Sequence, residues 1–154
     1  MNILINHFQF DTNNTFFMDK KKNIIVNGSF SRLLYSNSFF VMNGLHFEFP
    51  IVNYRIVNTN QNSELIFSPY KESNLSYVSD FVKIENTLLT NYNMIYGTNK
   101  TFSGVLSKQL HSGNMKLYRN LQKKKMHPTQ LVIKISGIWE TDNEIGLATK
   151  LLCY

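Results

Sequence analysis

The stretch Leu131-Val132-Ile133-Lys134-Ile135-Ser136-Gly137-Ile138-Trp139-Glu140 decides the fold of this 154-residue chain. Large apolar side chains recur there at alternate positions, as a strand with one buried face requires; they are Leu131, Ile133, Ile135 and Trp139. Thr141-Asp142-Asn143 then supplies a turn, and residues 145–153 return as a second extended run. The pattern predicts a C-terminal β-hairpin, and it places Trp139 in the core beneath it.

One segment upstream of this hairpin has a helical period. Apolar residues between about 77 and 96 recur at steps of three and four, which predicts a single main helix with one buried side; they include Val78, Phe81, Leu88, Leu89 and Tyr92. We expect Tyr92 to lie in the core because it belongs to this stripe. Gly97 marks the end of the helix.

The first half of the chain alternates short apolar runs with turn chemistry. Phe39-Phe40-Val41-Met42, then Asn43-Gly44, then Leu45-His46-Phe47-Glu48-Phe49 has the form of a hairpin, because Asn and Gly tolerate the positive φ angles of a type I′ turn. Lys20-Lys21-Lys22 is interpreted as a solvated turn. These elements predict one α+β domain over residues 1–154, mostly antiparallel β, built as an OB-like barrel or a small sandwich.

Composition excludes several classes of protein. Asn, whose codons are AT-rich, supplies 20 residues, whereas Ala, whose codons are GC-rich, occurs once, at Ala148. This bias in composition indicates an AT-rich genome. The apolar runs are too short for a transmembrane helix, and the N-terminus lacks the pattern of a signal peptide. With Cys153 as the only cysteine, no intrachain disulfide can form, which favours a reducing compartment. We therefore expect an intracellular protein without a membrane association.

Positive charge is concentrated in one part of the chain. Residues 1–85 carry seven basic and seven acidic side chains, whereas residues 86–139 carry eight basic side chains and no acid. This asymmetry, more than the net charge of +6, indicates a surface for an anionic partner.

No catalytic or metal-binding pattern stands out. The four histidines share no ligand spacing with one another or with Cys153. The Glu140–Glu144 segment is interpreted as a solvated hairpin turn rather than a divalent-cation site, because it lacks the frame of a calcium loop. The glycine-rich loops and nucleophile elbows of common enzymes are also missing. We expect neither an enzyme nor a cofactor.

Single-stranded nucleic acid is the partner that the basic segment predicts. Binding without sequence preference needs cations for phosphates and aromatic faces for bases, and the segment interleaves both. Lys116 and Tyr118 share one face of a predicted strand at 115–119. The candidate binding residues are Lys100, Lys108, Lys116, Tyr118, Arg119, Lys123, Lys124, Lys125 and Lys134. The lysine triplet at 123–125 is equally well explained as a solvated loop.

The C-terminal stretch 131–140, with Glu144-Ile145-Gly146-Leu147 after it, resembles the closing hairpin of small single-stranded-DNA-binding proteins encoded by DNA viruses. Some members of that class have an OB-like core, so the resemblance implies a role in viral genome replication. It also implies a location in the cytoplasm or nucleus of a host cell, and a homo-oligomer.

Two alternatives remain open at this stage. The chain could be a viral structural or interaction protein, an antiparallel sandwich whose aromatic residues form subunit interfaces without binding nucleic acid. It could also bind RNA rather than DNA as a regulator.

Overall fold

The computed structural model describes residues 3–25, 27–119 and 130–154. Within them, eleven strands and two helices follow in chain order. The strands are β1 (Thr15–Phe17), β2 (Lys21–Asn23), β3 (Gly28–Ser36), β4 (Val41–Asn43), β5 (Leu45–Glu48), β6 (Arg55–Asn58), β7 (Ser63–Ile66), β8 (Thr101–Phe102), β9 (Asn114–Arg119), β10 (Leu131–Glu140) and β11 (Glu144–Cys153). The helices are α1 (Glu72–Tyr96) and α2 (Val105–Ser112), and short 3₁₀ turns lie at His7–Gln9 and Thr12–Asn14.

The predicted C-terminal hairpin is confirmed and forms the centre of the sheet. β10 pairs with β11 in antiparallel register from Leu131↔Cys153 to Glu140↔Ile145. The strand order along the sheet is β1-β3-β10-β11-β9-β7-β6. Strands β8 and β9 pair with β11 in parallel, whereas the remaining pairs are antiparallel. The molecule is thus α+β with a mostly antiparallel sheet, as the sequence predicts.

The placement of Trp139 in the core is wrong, because β10 contains a bulge. The register with β11 shifts between Ile135 and Gly137, which leaves Ser136 as an extra residue. Since side chains alternate along a strand, one extra residue exchanges the two faces beyond it. Ile138 and Glu140 are therefore buried with Ile135, whereas Trp139 is only half-buried on the opposite face.

The predicted hairpin at Asn43-Gly44 is also wrong, since β4 and β5 do not pair with each other. β4 pairs with β3, and β5 pairs with β10. The segment 41–48 inserts where β3 and β10 diverge, beyond their last pair at Arg32↔Gly137. Of the two turn residues only Gly44 has a positive φ, at 77°, whereas a type I′ turn needs positive φ at both. Because β4 and β5 pair with two different strands, the chain does not reverse its direction at Asn43-Gly44 to form a hairpin.

The main helix is confirmed, and it begins five residues before the predicted start, at Glu72. It ends at Tyr96, and the left-handed Gly97 caps the last turn by donating its backbone N–H to the carbonyls of Asn93 and Met94. Its buried stripe packs on one face of the sheet, where the ring of Phe81 contacts those of Phe47 and Phe49. Tyr92 is fully buried there, as predicted.

The second helix, α2, occupies a stretch whose pattern is ambiguous between helix and strand. The carboxylate of Glu85 on α1 accepts hydrogen bonds from the backbone N–H groups of Leu106 and Ser107, at 3.2 and 2.8 Å. A carboxylate at this position satisfies free N–H groups of the first turn and matches the positive end of the helix dipole. Both helices thereby cover the same side of the sheet.

A closed OB-like barrel is not confirmed. Strands β1 and β6 lie at opposite ends of the strand order, so the sheet of the described residues is open. Of the helices in the described part of the chain, none combines the length and apolar character that a bilayer crossing requires.

Candidate nucleic-acid interface

The face of the central strands turned away from α1 and α2 is called the outer face here. Leu131, Ile133 and Ile135 of β10 belong to the buried core. Lys134 lies between them in sequence and therefore points to the outer face. In β11 the corresponding outer residue is Lys150, which is the direct partner of Lys134.

Tyr118 forms the centre of a cationic cluster on this face. Its ring is 37% exposed, and it lies opposite Leu152 of β11. The ammonium nitrogen of Lys116 lies 5.3 Å from the ring centroid, and that of Lys150 lies 5.1 Å from it. Both distances suit a cation–π contact. The cluster therefore combines a partly exposed aromatic ring with two positive charges that lie over it, and two of its members are residues predicted from sequence.

A row formed by the buried His46 and two lysines crosses the sheet beside this cluster. The register places His46 opposite Lys134 on one edge of β10 and Lys150 opposite Lys134 on the other. Like charges directly opposite each other destabilise a sheet. Burial, and then the charge of Lys134, lower the pKa of His46 below 6.5, so its ring stays neutral at physiological pH. An anion on the outer face would offset the repulsion between the two lysines.

A cavity of about 780 Å³ opens on the outer face of β2, β3, β10 and β11. Two cross-strand rows of residues build it. One row is Lys21–Phe30–Trp139–Gly146, and the next is Arg32–Gly137–Ala148. The β2–β3 turn borders the cavity with Ile24 and Ile25, which are 96% and 90% exposed.

Small residues under the two aromatic rings make this depression possible. A Cβ atom on Gly146 would lie 2.3 Å from Cζ2 of Trp139, and a Cβ on Gly137 would lie 2.8 Å from Cζ of Phe30. Each ring therefore lies directly against a glycine backbone, and no larger side chain could occupy either position without moving it. The concave shape follows from residue size at Gly137, Gly146 and Ala148.

Positive charge exceeds negative charge around the cavity. Lys21, Lys22 and Arg32 border it, against the single acid Asp19. Among the described residues, the ion pairs involve none of these three cations, nor Lys116, Lys134 or Lys150. Their charges are thus not neutralised by neighbouring carboxylates.

Other predicted binding residues lie elsewhere. Lys108 is exposed on α2, on the helix side of the sheet. Lys100 is held by Glu140, at 3.3 Å, and donates a hydrogen bond to the carbonyl of Thr141 at 2.6 Å. The side chain of Arg119 and the residues Lys123, Lys124 and Lys125 lie outside the described part of the structure. Of the nine predicted residues, the structure brings together Lys116, Tyr118 and Lys134.

The interpretation of Glu140 as part of a solvated turn is wrong. Its carboxylate accepts hydrogen bonds from Lys20 at 3.0 and 3.1 Å, and from the Tyr92 hydroxyl at 3.1 Å. Burial alone would raise the pKa of Glu140, but the hydrogen bonds from Lys20 and Tyr92 and the charges of Lys20 and Lys100 outweigh it, so the pKa is lowered. Lys20 also lies 4.1 Å from the ring centroid of Tyr96. The predicted turn at Lys20–Lys22 is therefore an ion-pair partner followed by the start of β2.

Sequence reasoning missed Phe30, Arg32 and Lys21, which belong to the charge-balanced half of the chain. No local sequence pattern marks these residues. They reach the site only because β2 pairs with β3 and β3 pairs with β10 of the C-terminal hairpin. A local clue does exist in the three small residues at Gly137, Gly146 and Ala148, in a chain with seven glycines and one alanine.

Comparisons of this chain with protein-family models, with curated proteins and with solved structures give no match. Among the described residues, no group of three or more His, Cys, Asp or Glu side chains could hold a metal ion.

Proposed function

We propose that this chain is a non-enzymatic protein that binds single-stranded nucleic acid, with DNA as the expected form, on the outer face of its sheet. The observation that carries the proposal is the exposed ring of Tyr118 between the ammonium groups of Lys116 and Lys150. Unpaired bases stack on aromatic rings, and the phosphates beside them need cations at this range.

The position of the cluster on an open sheet supports this ligand over a duplex. An open sheet face with rings and cations in rows can contact bases that are splayed out, whereas bases in a duplex are already stacked and paired. OB-type proteins bind oligonucleotides on such a face of a partly open barrel, with strands, a helix and a closing hairpin in that order. The proposal retains an OB-like architecture and, from the resemblance of residues 131–147, a role in viral genome replication.

A fluorescence-anisotropy titration with labelled oligo-dT and a matched duplex tests the proposal. We expect a preference for the single strand, and an affinity that falls steeply as salt increases. Tyr118→Leu should weaken oligo-dT binding by about 1–3 kcal/mol, since base stacking on an aromatic ring has this magnitude. Tyr70→Leu is the matched control, because Tyr70 is exposed beside His111 on the helix side.

Two results would contradict the proposal. One is the absence of binding to either oligonucleotide at low salt. The other is equal binding of single strand and duplex with no effect of Tyr118→Leu. The same titration with oligo-U separates DNA from RNA.

Self-assembly is the second candidate function, and exposed apolar residues near β3 favour it. Phe39 is 90% exposed, Val41 on β4 65% and Phe16 on β1 52%. Side chains of this size are common at subunit contacts. This candidate predicts a stable assembly by light scattering in the absence of nucleic acid, and one that persists when Lys123, Lys124 and Lys125 are neutralised.

A further inference from the structure

We infer that the cavity between β2, β3, β10 and β11 is a nucleoside-phosphate site, which holds the base against Trp139 and Phe30 and the phosphate at Arg32 and Lys21. The nucleotide is either free or one unit of a bound strand. In the second case the inference rests on the proposed function.

The size and lining of the cavity suit such a ligand. Its volume of about 780 Å³ lies within the range of small-molecule sites, roughly 300–1,000 Å³. Two aromatic rings occupy neighbouring positions of one cross-strand row, since Phe30 is the direct partner of Trp139. Met18, Ala148, Ile24 and Ile25 add further apolar lining. A planar base fits against these surfaces.

Each ring lies against a glycine backbone before any ligand arrives. Gly146 and Gly137 support Trp139 and Phe30 from beneath, with no room for another side chain. A ring that is already fixed loses little conformational entropy when a base stacks on it. The glycine backbones beneath the rings therefore lower the entropic cost of stacking a base on Trp139 or Phe30.

Charge selects an anionic ligand. Arg32 belongs to the row beside the rings, and its guanidinium can bind a phosphate through two parallel hydrogen bonds. Lys21, the partner of Phe30, adds a second cation. Asp19 provides an acceptor for an N–H group of the base or a hydroxyl of the sugar. A plain hydrocarbon ligand would leave all three groups without a partner.

The cavity lies on the same face of the sheet as the cluster around Tyr118. Ala148 and Lys150 both point to the outer face of β11. Tyr118 is paired with Leu152, so it lies roughly 13 Å along the strand from Ala148, at about 3.3 Å per residue. A strand with one nucleotide in the cavity can therefore pass Lys150 and reach Tyr118.

Trp139 makes the test direct, because it is the only tryptophan of the chain. Its fluorescence is followed during titration with dTMP, with thymidine, with inorganic phosphate and with unlabelled oligo-dT, while anisotropy of labelled oligo-dT reports strand binding independently. We expect saturable quenching by dTMP or by oligo-dT, with thymidine at least about tenfold weaker than dTMP because it lacks the charged group.

Substitutions separate the cavity from the rest of the face. Arg32→Gln and, as a second variant, Lys21→Gln should each lower the affinity for the ligand that quenches Trp139 by about tenfold. Arg55→Gln on β6 is the matched control, because Arg55 is exposed and lies outside the cavity. Circular dichroism checks that each variant is folded.

Each outcome assigns or overturns the site. Quenching by dTMP identifies a site for free nucleotides, even if oligo-dT does not bind and the proposed function fails. Quenching by oligo-dT alone identifies a site for one unit of a strand. Strand binding by anisotropy without a change in Trp139 fluorescence overturns the inference and leaves the proposed function standing. Quenching that is unaffected by Arg32→Gln and Lys21→Gln also overturns it.

Discussion

Glu140 occupies the inner face of β10 with little access to water, and three donors compensate for its burial. Its side chain is 10% exposed, and Lys20 and Lys100 lie 3.0 and 3.3 Å from the same carboxylate oxygen. Tyr92 donates to the other oxygen from α1. A carboxylate that loses water keeps its charge only with such partners. Glu140 thereby connects the helix, the segment before β2 and the central strand.

Replacing Glu140 by Gln should therefore destabilise the fold. The negative charge is lost, and the NH₂ group that replaces one carboxylate oxygen cannot accept a hydrogen bond from Lys20, so we expect the free energy of unfolding to fall by about 1–3 kcal/mol at pH 7. The folded-state pKa of Glu140 lies below its ordinary value of 4.5, so the stabilisation is present above pH 4.5 and is lost as the pH falls through the folded-state pKa. The difference between wild type and Glu140→Gln should shrink accordingly below pH 4.5. Urea denaturation at pH 7 and at several acidic pH values measures it.

Glu144→Gln provides the control, because Glu144 is exposed at the start of β11. We expect it to change the stability by less than about 0.5 kcal/mol. Equal effects of the two substitutions, or a difference independent of pH, would show that the ion pairs at Glu140 contribute no stability.

At the level of the elements, the pattern of apolar residues predicted the helices and strands whose buried face is visible in the local sequence. The period of α1 and the alternation in β10 and β11 both identify real elements, since each is set by one buried face. Two features escaped: the bulge at Ser136 and the insertion of residues 41–48 between β3 and β10. Both depend on which strands meet in space. The cavity could not be predicted for the same reason, because most of its lining residues come from the segment 18–32, far in sequence from the C-terminal hairpin.

Gly44 marks the point where the inserted segment turns from β3 to β10, and its substitution tests that geometry. Its φ is positive, and a Cβ would lie 2.7 Å from the carbonyl oxygen of Ile135. Gly44→Ala therefore combines backbone strain with a clash, and we expect a loss of stability of about 2 kcal/mol or more. Thermal or urea unfolding measures it.

Gly97→Ala is the matched control, since Gly97 has a φ of 60° but nothing within 4 Å of the added Cβ. It should cost about 1 kcal/mol from strain alone. A smaller loss for Gly44→Ala than for Gly97→Ala would contradict the insertion between β3 and β10.

For the molecule as a whole, exposed cations lie on both sides of the sheet. The outer face carries cations without ion-pair partners among the described residues, including Lys116 and Lys150. The helix side also has exposed lysines, such as Lys83 and Lys108. Net charge alone would attract a nucleic-acid strand to both sides of the sheet, whereas a defined interface binds it on one side only.

Salt dependence distinguishes these possibilities. Each phosphate contact with a single strand contributes about 0.7 to the slope of log affinity against log salt. Lys116→Gln combined with Lys150→Gln should therefore make the slope about 1.4 less steep. Lys83→Gln combined with Lys108→Gln removes the same charge from the helix side and should leave the slope unchanged. An equal reduction by both pairs would assign the attraction to net charge instead of the outer face.

The position of β10 and β11 in the chain has a consequence for biosynthesis. The central strands β10 and β11 leave the ribosome long after β3 and β5, which flank β10. At about 5–20 residues per second, β3 waits on the order of ten seconds for its central partner. During that interval its apolar side chains lack the surface that later covers them. The nascent chain thus passes through a period of exposure to chaperones that ends only when residues 131–153 emerge.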